Sequence, residues 1–340
     1  MTFVADTPLA TPLTRHLPLA AGLLLAFVAV PAFASDYVIE AILLPFLALS
    51  LAGLGLNLLT GYTGQVSLGS AAFMAMGAFA AFNLEHRIDW LPLPVSILLA
   101  GLTAAAVGLV FGLPSLRLRG FYLAVSTLAA QFFVQWALTK FGWFSNYSAS
   151  GIISAPSLHV FGISLDGTAG RYLFALSTTA LITLFVHRLV ISPIGANLIA
   201  VRDNETAARV IGVPVLRTKL AVFALSSAII GIAGAIWAFA YLRTVEPAGF
   251  NLDRSFQILF IVIIGGLATM RGAFLGAALI VIFPLLLSRF TGLAFDGVAD
   301  AGVLKLIERI FFGAVIIAFL IAEPNGLSAI LSRITRRFTR

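Results

Sequence analysis

Between residues 17 and 322 the chain carries ten runs of nearly uninterrupted apolar residues, at 17–34, 41–59, 66–82, 93–113, 120–140, 171–189, 218–242, 254–268, 272–289 and 306–322. A helix needs roughly 20 such residues to cross the hydrocarbon of a bilayer, with a working range of about 17–25. The runs are continuous and do not alternate polar with apolar positions, so they do not read as barrel strands. The pattern predicts an all-α integral membrane protein, a polytopic helical bundle of about ten transmembrane helices forming one domain over 1–340. Composition agrees: 60% of residues are hydrophobic and 10% are charged, against about 25% charged in soluble domains. A mean hydropathy of +1.05 excludes a disordered chain and a soluble enzyme. The run at 254–268 is the shortest and ends in Gly265-Gly266, so its depth is the least determined.

The basic residues orient the bundle. Threading ten spans from a cytoplasmic N-terminus puts Arg15, Arg117, Arg119, Arg188, Arg202, Arg209, Arg217, Lys219, Arg271, Arg333, Arg336, Arg337 and Arg340 on the inner side, with only Asp6, Asp203, Glu205 and Glu323 against them. The other side is net acidic. Both termini are therefore expected inside, with a basic cytoplasmic tail at 328–340. The net charge of +7 is accounted for by this asymmetry and does not call for nucleic acid. The run at 17–34 also reads as a signal-like segment, since Arg15 precedes it and Pro31-Ala32-Phe33-Ala34-Ser35 offers a small-x-small cleavage site. Removing it leaves the remaining topology unchanged.

Ionisable groups are nearly absent from the span interiors. Glu40, Lys140, Arg171, Arg254, Glu308 and Arg309 fall at span ends. A charge kept in lipid is costly and is usually put to use, so its absence speaks against a proton relay or a voltage sensor. Coupling to sodium through backbone carbonyls stays open. There is no HExxH and no cysteine, and His16, His86, His159 and His187 are scattered, so neither an intramembrane hydrolase nor a metal site is indicated. Neither a P-loop nor a GxGxxG fingerprint occurs. No cofactor is expected in this chain, and uphill transport would draw its energy from another subunit.

Two regions have a glycine-rich texture. One runs from Gly53 through Gly55, Gly61, Gly64 and Gly69 to Gly77, and the other from Gly265 and Gly266 through Gly272 to Gly276. Interrupted helices in two halves of a transporter point to a substrate path. Tight inner turns between packed helices are the alternative. In the fifth run Thr127, Gln131, Gln135 and Thr139 recur every four residues and share one drifting helix face. That face should meet protein or water. It forms either a polar wall of a translocation path or a row of interhelical hydrogen bonds worth about 0.6–2 kcal/mol each. Asn57 and Gln65 have the same two readings. Gly108-x-x-x-Gly112 fits close helix packing.

The longest inner loop covers 192–217. Asp203 or Asn204 can cap a helix start, Glu205 suits its first turn, and Gly212 followed by Pro214 can end it. A helix of about two turns does not stand alone in water, so it must dock on its own bundle or on a partner.

Leu58-Leu-Thr-Gly61-Tyr-Thr-Gly64-Gln65-Val-Ser-Leu-Gly69, Leu116-Arg-Leu-Arg-Gly120-Phe-Tyr-Leu-Ala124, Ser192-Pro-Ile-Gly195 with Arg202-Asp-Asn-Glu-Thr-Ala-Ala208, Gly265-Gly-Leu267 and Glu323-Pro-Asn-Gly-Leu327 together resemble the LivM-type permease subunits of branched-chain amino acid ABC importers. The resemblance runs from about residue 40 to 328. It implies a multi-pass protein of the bacterial inner membrane that pairs with a LivH-like second permease as a heterodimer. Two ABC ATPase subunits, which hold ATP and Mg, and a periplasmic solute-binding protein complete the assembly. It also implies a coupling helix in the inner loop, carried by Asp203, Asn204, Glu205, Ala207, Ala208 and Gly212. Glu205, Ala207, Ala208 and Gly212 are similar to the EAA motif of importer permeases, with one extra residue after Glu205 and without the usual tail. Closure of the ATPase pair would move this helix and switch access across the membrane. Permeases for a monosaccharide, urea or an amide, and an ion-coupled carrier, are the competing readings.

Overall fold

The computed structural model describes residues 12–88, 90–115, 121–148, 151–156, 158–160, 163–294 and 326–338, with single positions between 306 and 323. The helices are α1 (Pro12–Phe33), α2 (Asp36–Val38), α3 (Leu44–Thr63), α4 (Ser70–Arg87), α5 (Leu93–Ser115), α6 (Phe121–Lys140), α7 (Thr168–Val190), α8 (Pro193–Asp203), α9 (Glu205–Val210), α10 (Val215–Ile236), α11 (Leu252–Gly265), α12 (Met270–Ala294) and α13 (Leu327–Phe338). A π-helical stretch at Ile39–Leu43 joins α2 to α3, and a second at Trp237–Leu242 extends α10. Nine of the ten apolar runs coincide with helices, and the run at 306–322 lies outside the continuously described residues. Asp36–Thr63, Leu93–Leu113, Thr168–Val190, Val215–Leu242 and Met270–Arg289 are each long and apolar enough to cross a membrane. The protein is a multi-pass, helical membrane protein. Its β-structure, among the described residues, is two small antiparallel ribbons. Ile153–Ser154 (β1) pairs with Thr244–Val245 (β4), and His159–Val160 (β2) pairs with Ile163–Ser164 (β3).

α10 is the central post, packed against α3, α4 and α5. Lipid tails are as apolar as leucine, so helices in a membrane associate through close packing. Glycine supplies that closeness here. A Cβ on Gly77 of α4 would lie 2.0 Å from the carbonyl oxygen of Gly231 in α10, so the two backbones touch. A Cβ on Gly108 would lie 2.3 Å from the Ser227 hydroxyl, which places the Gly108–Gly112 face of α5 on α10 as close packing requires. Phe73 and Phe223 meet edge to face above these contacts, 5.8 Å apart. The outer faces are apolar and open, with Leu98, Leu102 and Val110 on α5, Phe132, Phe133 and Trp136 on α6, and Leu181 and Leu184 on α7. A soluble domain would bury such a surface.

Two segments leave helical form inside the bundle. α3 closes at Gly64, whose φ of +70° costs a glycine little. The chain then runs through 65–69 without helix, and α4 restarts beside Gln131, halfway along α6. The glycines at 53, 55 and 61 lie within the continuous α3 and Gly77 lies within α4, so the interruption expected across 53–77 narrows to 64–69. The second segment was not anticipated. After Leu242 the chain turns at Arg243 (φ +57°), forms β4 and a 3-10 turn at Pro247–Phe250, and begins α11 at Leu252. α11 has 14 residues, about 21 Å at 1.5 Å per residue, and begins at the same level as α4. The helix at the expected span 254–268 is therefore shorter than the roughly 30 Å hydrocarbon core of a bilayer and starts beside Gln131, halfway along α6.

Candidate translocation core and coupling surface

α4 and α11 both begin at Gln131. A helix start leaves backbone N–H groups without partners, and deep in a membrane no water can take them. Gly69, the residue before α4, has no side chain to cap it. The cap comes from other helices. The Ala71 N–H donates to Ser255 Oγ (2.9 Å) and the Ala72 N–H to Gln131 Oε1 (2.6 Å). Gln131 also accepts from Ser255 Oγ (3.0 Å), and its Nε2 donates to the Phe250 carbonyl (2.7 Å). One turn away Thr127 Oγ1 accepts from the Leu68 N–H (2.9 Å) and donates to the Ala124 carbonyl (2.9 Å). Thr127 and Gln131 are fully buried. Gln135 on the same stripe is half-buried and Thr139 is exposed.

A second polar clip holds the glycine-rich turns. Asn57 is fully buried; its Nδ2 donates to the Thr269 carbonyl (2.8 Å) and its Oδ1 accepts from the Ala268 N–H (2.9 Å). A Cβ on Gly61 would fall 2.2 Å from Asn57 Oδ1 and 2.4 Å from the Ala268 nitrogen. The two glycine-rich regions thus meet at one end of the bundle as a tight turn on a helix end. Gly265 and Gly272 press on each other across the turn, Gly266 adopts a φ of +113°, and Gly69 lies against the Thr127 carbonyl. Gln65 is buried and its Nε2 bonds only locally, to Thr63 Oγ1 (3.0 Å).

The inner loop is built at that same end. It holds two helices where one was expected. Ser192 caps α8, its Oγ accepting from the Ile194 N–H (3.2 Å), with Pro193 in the first turn. Of the two residues offered as cap for α9, Asn204 is the one used, its Oδ1 accepting from the Thr206 (2.9 Å) and Ala207 (3.1 Å) N–H groups. Asp203 instead ends α8 and pairs with Arg202 (2.9 Å). Gly212 (φ +88°) closes α9: its N–H donates to the Arg209 carbonyl (3.0 Å) and the Val213 N–H to the Ala208 carbonyl (2.9 Å), a Schellman motif. Glu205 pairs with Lys219 of α10, and Arg202 donates to the Gly61 carbonyl (3.3 Å), so the stub is fastened to α10 and α3. Ala208 points inward into a small cluster with Val201, Val213 and Val215. Ala207 is exposed, and so are Val210 (82%) and Ile211 (72%), which the residue pattern had not singled out. The apolar pair Val210-Ile211 between Arg209 and Gly212 was the available signal. The tail predicted as basic is the helix α13, tied to the inner turn by Ser328 Oγ and Thr269 Oγ1 (3.1 Å).

Arg171 lies in the first turn of α7, as its place at a span end predicts, whereas Arg254 differs from its expected setting. Arg171 bonds Glu40 and the Ala240 carbonyl (3.2 Å), linking α7 to both π-helical stretches. Arg254 was placed at a span end, yet it precedes Ser255 and so sits at the level of Gln131, inside the bundle.

The residues 38–320 match the family described as branched-chain amino acid transport system / permease component. The chain belongs to this family. It is 31% identical over 301 residues to the high-affinity branched-chain amino acid transport system permease protein LivM of Escherichia coli (strain K12), covering 81% of this chain and 66% of that protein. The chain thus spans just under two thirds of that relative's length. It is 26% identical over 332 residues to a probable branched-chain amino acid transport permease protein LivM of Methanocaldococcus jannaschii, covering 85% of this chain and 92% of the relative. A LivH protein of the same organism is 26% identical over 295 residues, covering 83% and 89%. No solved structure matches the chain.

Proposed function

We propose that this chain is the membrane-spanning permease subunit of an ATP-binding-cassette importer in a bacterial inner membrane, passing branched-chain or related amino acids received from a periplasmic binding protein. It spans the bilayer about ten times with both termini inside. It pairs with a LivH-like permease, and two separate ATPases that bind ATP and Mg supply the energy. The family supports the reading, and one structural observation carries it: a capped, anchored stub presents Ala207, Val210 and Ile211 outward at the basic end of the bundle. Arg202, Arg209, Arg217, Lys219, Arg271 and Arg333 gather there, as on a cytoplasmic face. A short helix that exposes two large apolar residues is built to be covered. In this reading the ATPase covers α9, while Ala208 keeps the stub's own packing. Thr127, Gln131, Asn57 and Gln65 frame the path, and Gln135 is the stripe member with surface left to present to it.

The test is reconstitution in proteoliposomes. The chain with its partner permease, ATPases and binding protein should accumulate leucine only with ATP, and the chain alone should accumulate none. Sodium-driven uptake by the chain alone would establish an ion-coupled carrier instead.

A further inference from the structure

Arg254 lies in the first turn of α11, between the exposed Asp253 and the Gln131-bonded Ser255, and the family reading gives it no task. Its guanidinium carbon lies over the Trp237 ring, 4.1 Å from the centroid, and Nη1 donates to Gln257 Oε1. Among the described residues no carboxylate pairs with it. Trp237 is 4% exposed and its Nε1–H has no hydrogen-bond partner. Tyr241 meets the Trp237 ring edge-on at 4.6 Å. Trp237 and Tyr241 both lie in the π-helical stretch that extends α10, and such stretches concentrate at functional sites.

These observations are independent and share one chemistry. A half-buried cation in an apolar bundle that makes no ion pair among the described residues is costly and is kept where it has work to do. A buried indole N–H without an acceptor is a second uncompensated donor. A guanidinium presents five donors in a planar fork that matches a carboxylate two at a time, and Gln257 occupies only part of it. The Trp237 face holds that plane in position, while Tyr241 and the partly exposed Phe256 offer aromatic surface for an aliphatic side chain.

We propose that Arg254 and Trp237 form a carboxylate-binding station inside the bundle, at which the guanidinium and the Nε1–H take the carboxylate of the transported solute. The proposal rests on the importer reading and narrows it. A solute carrying a carboxylate, such as a zwitterionic amino acid, fits the station, whereas a neutral sugar, urea or amide leaves both donors unsatisfied.

Two measurements on the complete complex test it. In proteoliposomes Arg254→Gln should lower leucine uptake at least tenfold while the complex still assembles. Arg254→Lys, which keeps the charge but loses the fork, should retain an intermediate rate. Trp237→Phe keeps the ring under Arg254 and removes only the donor, and should lower uptake about threefold. Separately, modification of Arg254 by phenylglyoxal, followed by mass spectrometry, should be slowed by leucine and by isovalerate and not by leucinol, which lacks the carboxylate. Wild-type uptake in Arg254→Gln, or equal modification rates with and without either carboxylate, overturns the station. If Arg254→Gln fails to assemble, unchanged uptake in Trp237→Phe overturns it. Failure of the wild-type complex to move leucine overturns the importer reading instead, and protection by isovalerate still sustains the station.

Discussion

At the level of Gln131, among apolar helices, the polar groups are turned toward one another. One glutamine side chain caps α4 through Ala72, bonds Ser255 and takes the Phe250 carbonyl. In the stub at 192–215, outside the apolar spans, the arrangement is reversed: the polar groups of Asn204, Glu205 and Arg202 fasten the segment, and Val210 and Ile211 are turned out at 82% and 72% exposure. Both regions hold a helix start in place with side-chain hydrogen bonds, from Gln131 and Ser255 at α4 and from Asn204 at α9. They differ in what is left over. The node leaves little polar capacity at Gln131 and Thr127, as a static frame would, and the stub leaves an apolar surface that needs a partner.

The contrast is broken most severely at the node. Gln131→Leu should strand the Ala72 N–H, the Phe250 carbonyl and the Ser255 hydroxyl, at about 1–3 kcal/mol for each buried group, roughly 3–9 kcal/mol in all. The expected outcome is a large fall in thermal midpoint in detergent or loss of the protein from the membrane. A variant as stable as wild type would remove the node from the frame. At the stub the double substitution Val210→Asp with Ile211→Asp should leave the thermal midpoint unchanged and lower ATP-driven uptake about tenfold, ~1.4 kcal/mol of coupling. Equal uptake would show that nothing docks there, and a lowered midpoint would assign those residues to the protein's own packing. The smallest effect is expected from Asn204→Ala. It removes the cap on α9 at about 1 kcal/mol, a local cost read as faster amide exchange at Thr206 and Ala207 with little change in the global midpoint. Protection unchanged at both amides would show that the cap does not hold the stub.

Apolar run length located nine of the helices because hydrocarbon thickness imposes it directly on the chain. Depth is not written in the same way. α11 and the run 254–268 nearly coincide, and Arg243, Glu246, Pro247, Gly249 and Asn251 mark the stretch 243–251 as a loop, but composition does not say at what level a loop lies. The stripe on α6 was legible as a face requiring protein or water. That Gln131 would cap a helix 59 residues away depends on tertiary placement. Ser192-Pro193 is a legible helix start for α8, a capping hydroxyl followed by a proline in the first turn. Ala208 and Ala207 look alike in the sequence; only the packing of Val201, Val213 and Val215 separates the inward one from the outward one.

The contact between Gly77 and Gly231 has a mechanical corollary. Side chains act as cushions, giving a helix pair room to slip by exchanging rotamers. Where main chain abuts main chain there is no cushion, and a shift of an ångström along either axis would bring the bulk of a neighbouring residue against the facing peptide. α4 and α10 are thus keyed together like a tenon in its mortise, and a gating motion must carry both as a single strut.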